Sequence, residues 1–168
     1  MQIRPADLDD WEAILDIYNQ AVRAGGASAD LSPVTMAQRL RWFAEHGPDT
    51  YPIYIASDSD TKAIVGWCSL SPYRGGRLAL RHVAEISYYI DYEHHGKGIA
   101  GQLIDHSLSE CPRLQLEVLV AILLEVNQAS IGLLLKRGFH RWGHLPNIAR
   151  LGDQTTGHLI YGKHLISP

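Results

Sequence analysis

Cysteine is scarce and isolated in this sequence. Cys68 and Cys111 are the two among 168 residues, with no C-x-x-C pair and no histidine at metal-ligand spacing, so neither a disulfide framework nor a thiolate metal site is expected. Both read as packed thiols. An excess of basic charge is also missing. Lys and Arg number 15 against 18 Asp and Glu, for a net charge of −3 and a pI near 6.3, and no basic stripe alternates with aromatics, which argues against nucleic acid as a partner. The longest nearly pure apolar run, Val118 to Leu124, falls far short of the roughly 20 residues that cross a bilayer. The start, Met1 to Asp7, holds no apolar signal core, and the expectation is a cytoplasmic protein with no membrane partner. Nine histidines are scattered through the chain, and the adjacent His94 and His95 point apart, so no metal is expected. No G-x-S-x-G or cysteine–histidine signature suggests a hydrolase. Repeats, linkers and low-complexity segments are absent, and 168 residues suit a single domain over 1–168 with a sizeable core.

What the chain does have is a β-rich segment, Ile86-Ser87-Tyr88-Tyr89-Ile90, that passes through a glycine-spaced turn at Gly96 and Gly98 into a helix. Glycines there let the backbone approach a ligand, and the unpaired amides of a helix start point at negative charge. Phosphate is the natural guest. Gly96, Gly98 and Gly101 also fit G-x-G-x-x-G, the dinucleotide fingerprint, but that motif belongs in a first strand–turn–helix unit with an acidic residue ending the next strand. Here it lies past mid-chain, and Glu117 precedes the next apolar run.

Periodicity supplies the elements around it. Ile3 opens a short strand. Asp7 is a candidate N-cap for a helix with Leu8, Trp11, Ile14, Leu15, Tyr18 and Val22 inward, ended by Gly25-Gly26. Thr35 can cap a second helix from Met36 to His46, with Leu40 and Phe43 inward, stopped by Gly47-Pro48. Strands Tyr51 to Ser57 and Lys62 to Ser71 form a hairpin about Asp58-Ser59-Asp60-Thr61. Val83 to Ile90 feeds the glycine turn, a helix runs from Gly98 to about Glu110, and Leu116 to Leu124 reads as a buried strand. A helix starting at Asn127 or Ser130 ends at Gly138, and two strands follow around a loop at Pro146-Asn147. The order is β-α-α-β-β-β-α-β-α-β-β.

That order, His95-x-x-Gly98-x-Ala100 in the place of [Gln/Arg]-x-x-Gly-x-[Gly/Ala], and the step Arg137-Gly138-Phe139 together resemble the GNAT N-acetyltransferases. Asp16-Ile17-Tyr18-Asn19, Pro33-Val34, Arg39 with Trp42-Phe43, Ala84-Glu85-Ile86-Ser87 and Asn127-Gln128-Ala129-Ser130 are similar to its phosphinothricin and methionine-sulfone acetyltransferase branch. The resemblance covers nearly the whole chain. It implies an α/β GNAT fold, with a mixed, mostly antiparallel central sheet of six to seven strands, flanked by four helices and splayed between the fourth and fifth strands. It also implies acetyl-CoA as acetyl donor, a small-molecule primary amine as acceptor, and a homodimer.

Site residues follow on the same terms. Amides of His95, Gly96, Lys97, Gly98, Ile99, Ala100 and Gly101 would take the diphosphate of acetyl-CoA. The edge of Tyr88, Tyr89 and Ile90 would pair with pantetheine, Tyr89 or Ile90 offering an amide to the oxyanion, an interaction typically worth about 3 kcal/mol of barrier. Asn127 is the family position for a further contact. An alkylammonium titrates near 10, so transfer at neutral pH needs a base, and Glu85 is implied for that role. Glu85, Ile86 and Ser87 would line the acceptor side, with Arg74, Gly75, Gly76 and Arg39 as acceptor contacts, an arginine fork suiting a carboxylate. Leu134 occupies the position where many relatives carry the acid that protonates the thiolate, which leaves water, Tyr161 or His140. Ala27-Ser28-Ala29-Asp30 and Thr155-Thr156-Gly157-His158 depart from the branch pattern and imply a different acceptor pocket. A non-catalytic acyl-CoA-binding module and an NAD(P)-binding oxidoreductase stand as rival readings.

Overall fold

The computed structural model describes residues 1–166, so the last two residues of the expected domain lie outside the described residues. Seven strands form one sheet: β1 (Gln2–Pro5), β2 (Ile53–Ser57), β3 (Ile64–Pro72), β4 (Val83–Ile90), β5 (Val118–Leu124), β6 (His140–Leu151) and β7 (Gln154–His164). Their spatial order is β1-β2-β3-β4-β5-β7-β6, antiparallel throughout except for β4 with β5. Four helices complete the order read from periodicity: α1 (Trp11–Ala24), α2 (Met36–Ala44), α3 (Ile99–Glu110) and α4 (Gln128–Leu135).

On α1, Ile14, Ile17, Tyr18, Ala21 and Val22 are buried, a stripe of i, i+3, i+4 and i+7 spacings that lies against one sheet face. There it meets Ile53, Ile55 and Trp67, with Phe43 of α2. The Trp67 indole donates to the Ile14 carbonyl at 2.9 Å, and Phe43 stacks on Trp11 at 4.4 Å between ring centroids. Ile99, Leu103 and Ile104 of α3 and Leu134 of α4 cover the other face with Tyr54, Cys68, Ala84 and Ile86. Cys68 and Cys111 are fully buried thiols there, as packed residues should be, and burial pushes both up to about 12.

Three expectations need correction. Leu8 and Leu40 are exposed. Leu8 sits in a 3₁₀ turn, Leu8–Asp10, that precedes α1, so the helical phase that would turn it inward does not yet apply, and α2 buries Phe43 alone. The chain does not turn at Pro146-Asn147. β6 runs through that pair with a register irregularity between Leu145 and Ala149, where Asn147 has φ 56°. Being at the sheet edge, β6 tolerates the missing proline N–H. The reversal comes at Gly152-Asp153, between the paired Leu151 and Gln154, with Gly152 at φ 60°.

One feature of the sheet creates the site. β4 and β5 pair only from Val83 to Glu85 against Val118 to Val120. Beyond that point β4 stays with β3 up to Ile90, while β5 follows β7 up to Leu124. The two strands diverge, and the edge of β4 from Ile86 onward faces no strand.

Candidate active site

The divergence opens onto two cavities that share Tyr89. The first, of about 510 Å³, is walled by Tyr88, Tyr89 and Ile90 of β4, by the turn from His95 to Gly101, and by Asn127 and Ser130 at the start of α4. Gly96 and Gly98 take φ 76° and 78°, values that cost a side chain dearly, and Gly98 is the N-cap of α3 with no side chain over its first amides. Helix geometry leaves the amides of residues 99 to 101 without partners inside α3, so they can bind an anion. The His95 ring nitrogen bonds the Ile90 carbonyl at 3.0 Å and the ring lies over Tyr92 at 4.4 Å, pinning the turn to the end of β4. Gly101 is small for a packing reason, since a Cβ there would strike the Arg137 guanidinium. That guanidinium bonds the Gly101 carbonyl at 3.2 Å and Asp105 at 2.9 Å, tying α3 to the end of α4. Lys97 is exposed and takes no part in the wall. Lys136, which sequence reasoning missed, does. The Asn127 side chain caps α4 by accepting from the Ser130 amide at 3.2 Å.

The second cavity, of about 640 Å³, lies on the α1/α2 face and contains Glu85, Arg39, Trp42, Asp30 and His158. Glu85, half-buried on β4, has its carboxyl pKa raised by desolvation. The Arg39 guanidinium lies 4.3 Å from the Tyr18 ring centroid and 5.7 Å from that of Trp42, and donates to Asp30 at 3.2 Å. The Tyr18 hydroxyl in turn donates to Asp30 at 2.5 Å and contacts Ser28 at 2.7 Å. Only one arm of the guanidinium is used in this network, so a fork remains for an incoming carboxylate. Trp42 is fixed from behind: His46 donates from Nδ1 to the Trp42 carbonyl at 2.7 Å and accepts at Nε2 from Ser71 at 2.9 Å. Ser71 is the β3 residue opposite Glu85.

Alternation along β4 sorts the expected acceptor residues. Ile86 points into the α3 face and is 2% exposed, so its side chain cannot line the second cavity; Glu85 and Ile86 are neighbours and must face opposite sides. Ser87 shares the face of Glu85 but lines neither cavity, and Arg74, Gly75 and Gly76 stand in the turn after β3, outside both. Sequence reasoning did not place Tyr18, Asp30, Trp42 and His158 in the site, and all four line the second cavity. The two segments that depart from the branch pattern, 27–30 and 155–158, do supply Asp30 and His158. Tyr161 is buried in the core and His140 is exposed on the edge strand, and neither lines the first cavity. No group of three or more His, Cys, Asp or Glu able to hold a metal occurs among the described residues. The glycine turn follows the fourth strand of a mostly antiparallel sheet, which removes the dinucleotide reading.

Comparison with known proteins agrees with this geometry. A family model described as an acetyltransferase (GNAT) domain matches residues 1–140. The L-methionine sulfoximine/L-methionine sulfone acetyltransferase of Pseudomonas aeruginosa is 34% identical over 88% of this chain and 85% of its own length. A Bacillus subtilis protein named as a candidate phosphinothricin acetyltransferase is also 34% identical, over 98% of this chain and 99% of its own. Among solved structures, a GNAT superfamily phosphinothricin acetyltransferase from Sinorhizobium meliloti in complex with AcCoA superimposes with a TM-score of 0.90 at 25% identity, covering 97% of this chain and 87% of that one.

Proposed function

Because the chain belongs to the GNAT acetyltransferase family, we propose that it transfers acetyl from acetyl-CoA to the primary amine of an amino acid or a close analogue of the methionine sulfone, methionine sulfoximine or phosphinothricin type, with Glu85 as the base. The family membership supplies the acetyl-CoA-dependent N-acetyltransferase activity. The observation that carries the finer reading is the meeting of the two cavities at Tyr89. An acetyl donor in one and an amine in the other would come together at the unpaired edge of β4. The open amides of the turn and Lys136, which lines the same cavity, suit a diphosphate, and the bare strand edge suits the amides of pantetheine.

The second cavity supports an acceptor that carries both charges. Glu85 and Asp30 attract an ammonium, and the free arm of Arg39 would hold a carboxylate. Direct attack follows: Glu85 takes a proton from the ammonium, the freed amine attacks the thioester carbonyl, and an amide of Tyr89 or Ile90 receives the developing oxyanion. Exposed Trp142, Leu145 and Ile148 on β6 support a homodimer through that strand, and the two unpaired buried thiols suit a reducing cytoplasm.

Arg39→Ala tests the acceptor class. Loss of a hydrogen-bonded charge should raise KM roughly tenfold or more for amino acids while leaving KM for an amine without a carboxylate unchanged. Steady-state kinetics with an amino acid and its decarboxylated counterpart measure this, and an equal effect on both would remove the carboxylate contact. The panel of acceptors that tests the reaction itself is thiol release with amino acids, their sulfone, sulfoximine and phosphinic analogues, and simple amines.

A further inference from the structure

Among the described residues that wall the second cavity, Asp30 and Glu85 are the carboxylates and Arg39 is the one permanent cation. Burial first of all, and then Tyr18, Asp30 and Glu85, raise the pKa of the Tyr89 hydroxyl while Arg39 opposes them, so the three charges lie around one group. Asp30 is held there by more than its ion pair. Its Oδ2 accepts from Arg39 at 3.2 Å and from the Tyr18 hydroxyl at 2.5 Å, which leaves Oδ1 out of both bonds, and its amide donates to Ser28 Oγ at 3.1 Å. The side chain is nonetheless 43% exposed. This anion is fixed in place and open to whatever enters.

An α-amino acid brings one ammonium and one carboxylate. With the ammonium at Glu85 and the carboxylate at Arg39, each permanent positive charge in the cavity has a partner, and Asp30 stands as one negative charge in excess. We propose that Asp30 is a specificity-determining residue, which makes the cavity turn away an amino acid whose side chain carries a negative charge and take one whose side chain is neutral. The inference rests on the amino-acid acetyltransferase reading of the two cavities, and it narrows the acceptor to the sulfone and sulfoximine type over the phosphinic type. Charge does the sorting. Like charges a few ångströms apart near a protein surface repel by enough to shift binding about tenfold or more, and the partial exposure of Asp30 brings the expectation to the lower end of that range.

The test uses acceptors matched in shape. Methionine sulfone and phosphinothricin share a tetrahedral head with one methyl group and two oxygens and differ by one negative charge; glutamine and glutamate make a second such pair. The readout is the ratio of kcat/KM for the neutral member to that for the anionic member, in wild type and in Asp30→Asn, which keeps an oxygen for Tyr18 and Arg39. Wild type is expected to favour the neutral member by about tenfold, and the ratio should fall about fivefold or more toward one in the variant. If Asp30 were only a strut, the variant would lose activity on both members alike and keep the ratio. The wild-type ratio should also shrink as salt is raised, because screening weakens a half-exposed charge, and this series decides the matter without any variant. A wild-type ratio near one, a ratio unchanged in folded Asp30→Asn, or a ratio indifferent to salt would overturn the role of Asp30 and leave the acetyltransferase reading intact. Acetylation of neither member of either pair would also overturn it, and acetylation of no amino acid at all would overturn the reading beneath it.

Discussion

Glu85→Gln is expected to lower kcat at pH 7 by a hundredfold or more, the range in which a positioned general base contributes, with acetyl-CoA affinity within twofold of wild type. For a base, the carboxylate and not the carboxylic acid is the form that takes the proton. Burial raises its pKa, so the acid limb of the wild-type pH–rate profile should lie above the ordinary carboxylate range and disappear in the variant. Stability should move the other way. A carboxyl whose pKa is raised by folding favours its protonated form in the native state, so its contribution to stability is complete at low pH and is lost as pH rises through the raised pKa. Gln carries no such cost. The variant should melt at or above the wild-type temperature at pH 7 to 8, with the difference closing toward acid pH. A variant that is both slow and less stable at neutral pH would point to a structural role instead.

Gly98→Asp should reduce acetyl-CoA affinity by more than a hundredfold, because like charges brought together at an interface cost several kcal/mol. The fold should survive. Gly98 sits at φ 78° as the N-cap of α3, which strains any side chain and should lower the melting temperature, though Asp visits the left-handed region more readily than most residues. A Cβ added at that position would meet nothing within 4 Å. Calorimetry with acetyl-CoA and thermal melting of the same sample separate the two effects. Unaltered affinity in the folded variant would move the diphosphate away from this turn.

The parts of this molecule that could be read from its letters are those governed by local rules. The glycine turn was legible because positive φ at Gly96 and Gly98 is a demand on single residues, and α1 was legible because its apolar stripe repeats every turn. Leu8 failed the same rule because a 3₁₀ turn interrupts the helical phase before Trp11. Pro146-Asn147 is as strong a turn signal as Gly152-Asp153 in sequence, and only the edge position of β6 decides between them. The second cavity was the least legible part. Asp30 comes from the loop after α1, Arg39 and Trp42 from α2, Glu85 from β4 and His158 from β7, and no spacing in the chain announces that these meet. Ile86 shows the converse: adjacency to Glu85 suggested a shared role, while the two-residue period of a strand sends its side chain into the core.

The most direct test is mass spectrometry of the protein incubated with acetyl-CoA and a mixture of L-amino acids, their sulfone, sulfoximine and phosphinic analogues, and simple amines. The account predicts an N-acetylated α-amino acid or analogue, formed in step with free coenzyme A and lost in Glu85→Gln. Binding of acetyl-CoA without an acetylated amine from any member of the mixture would contradict it.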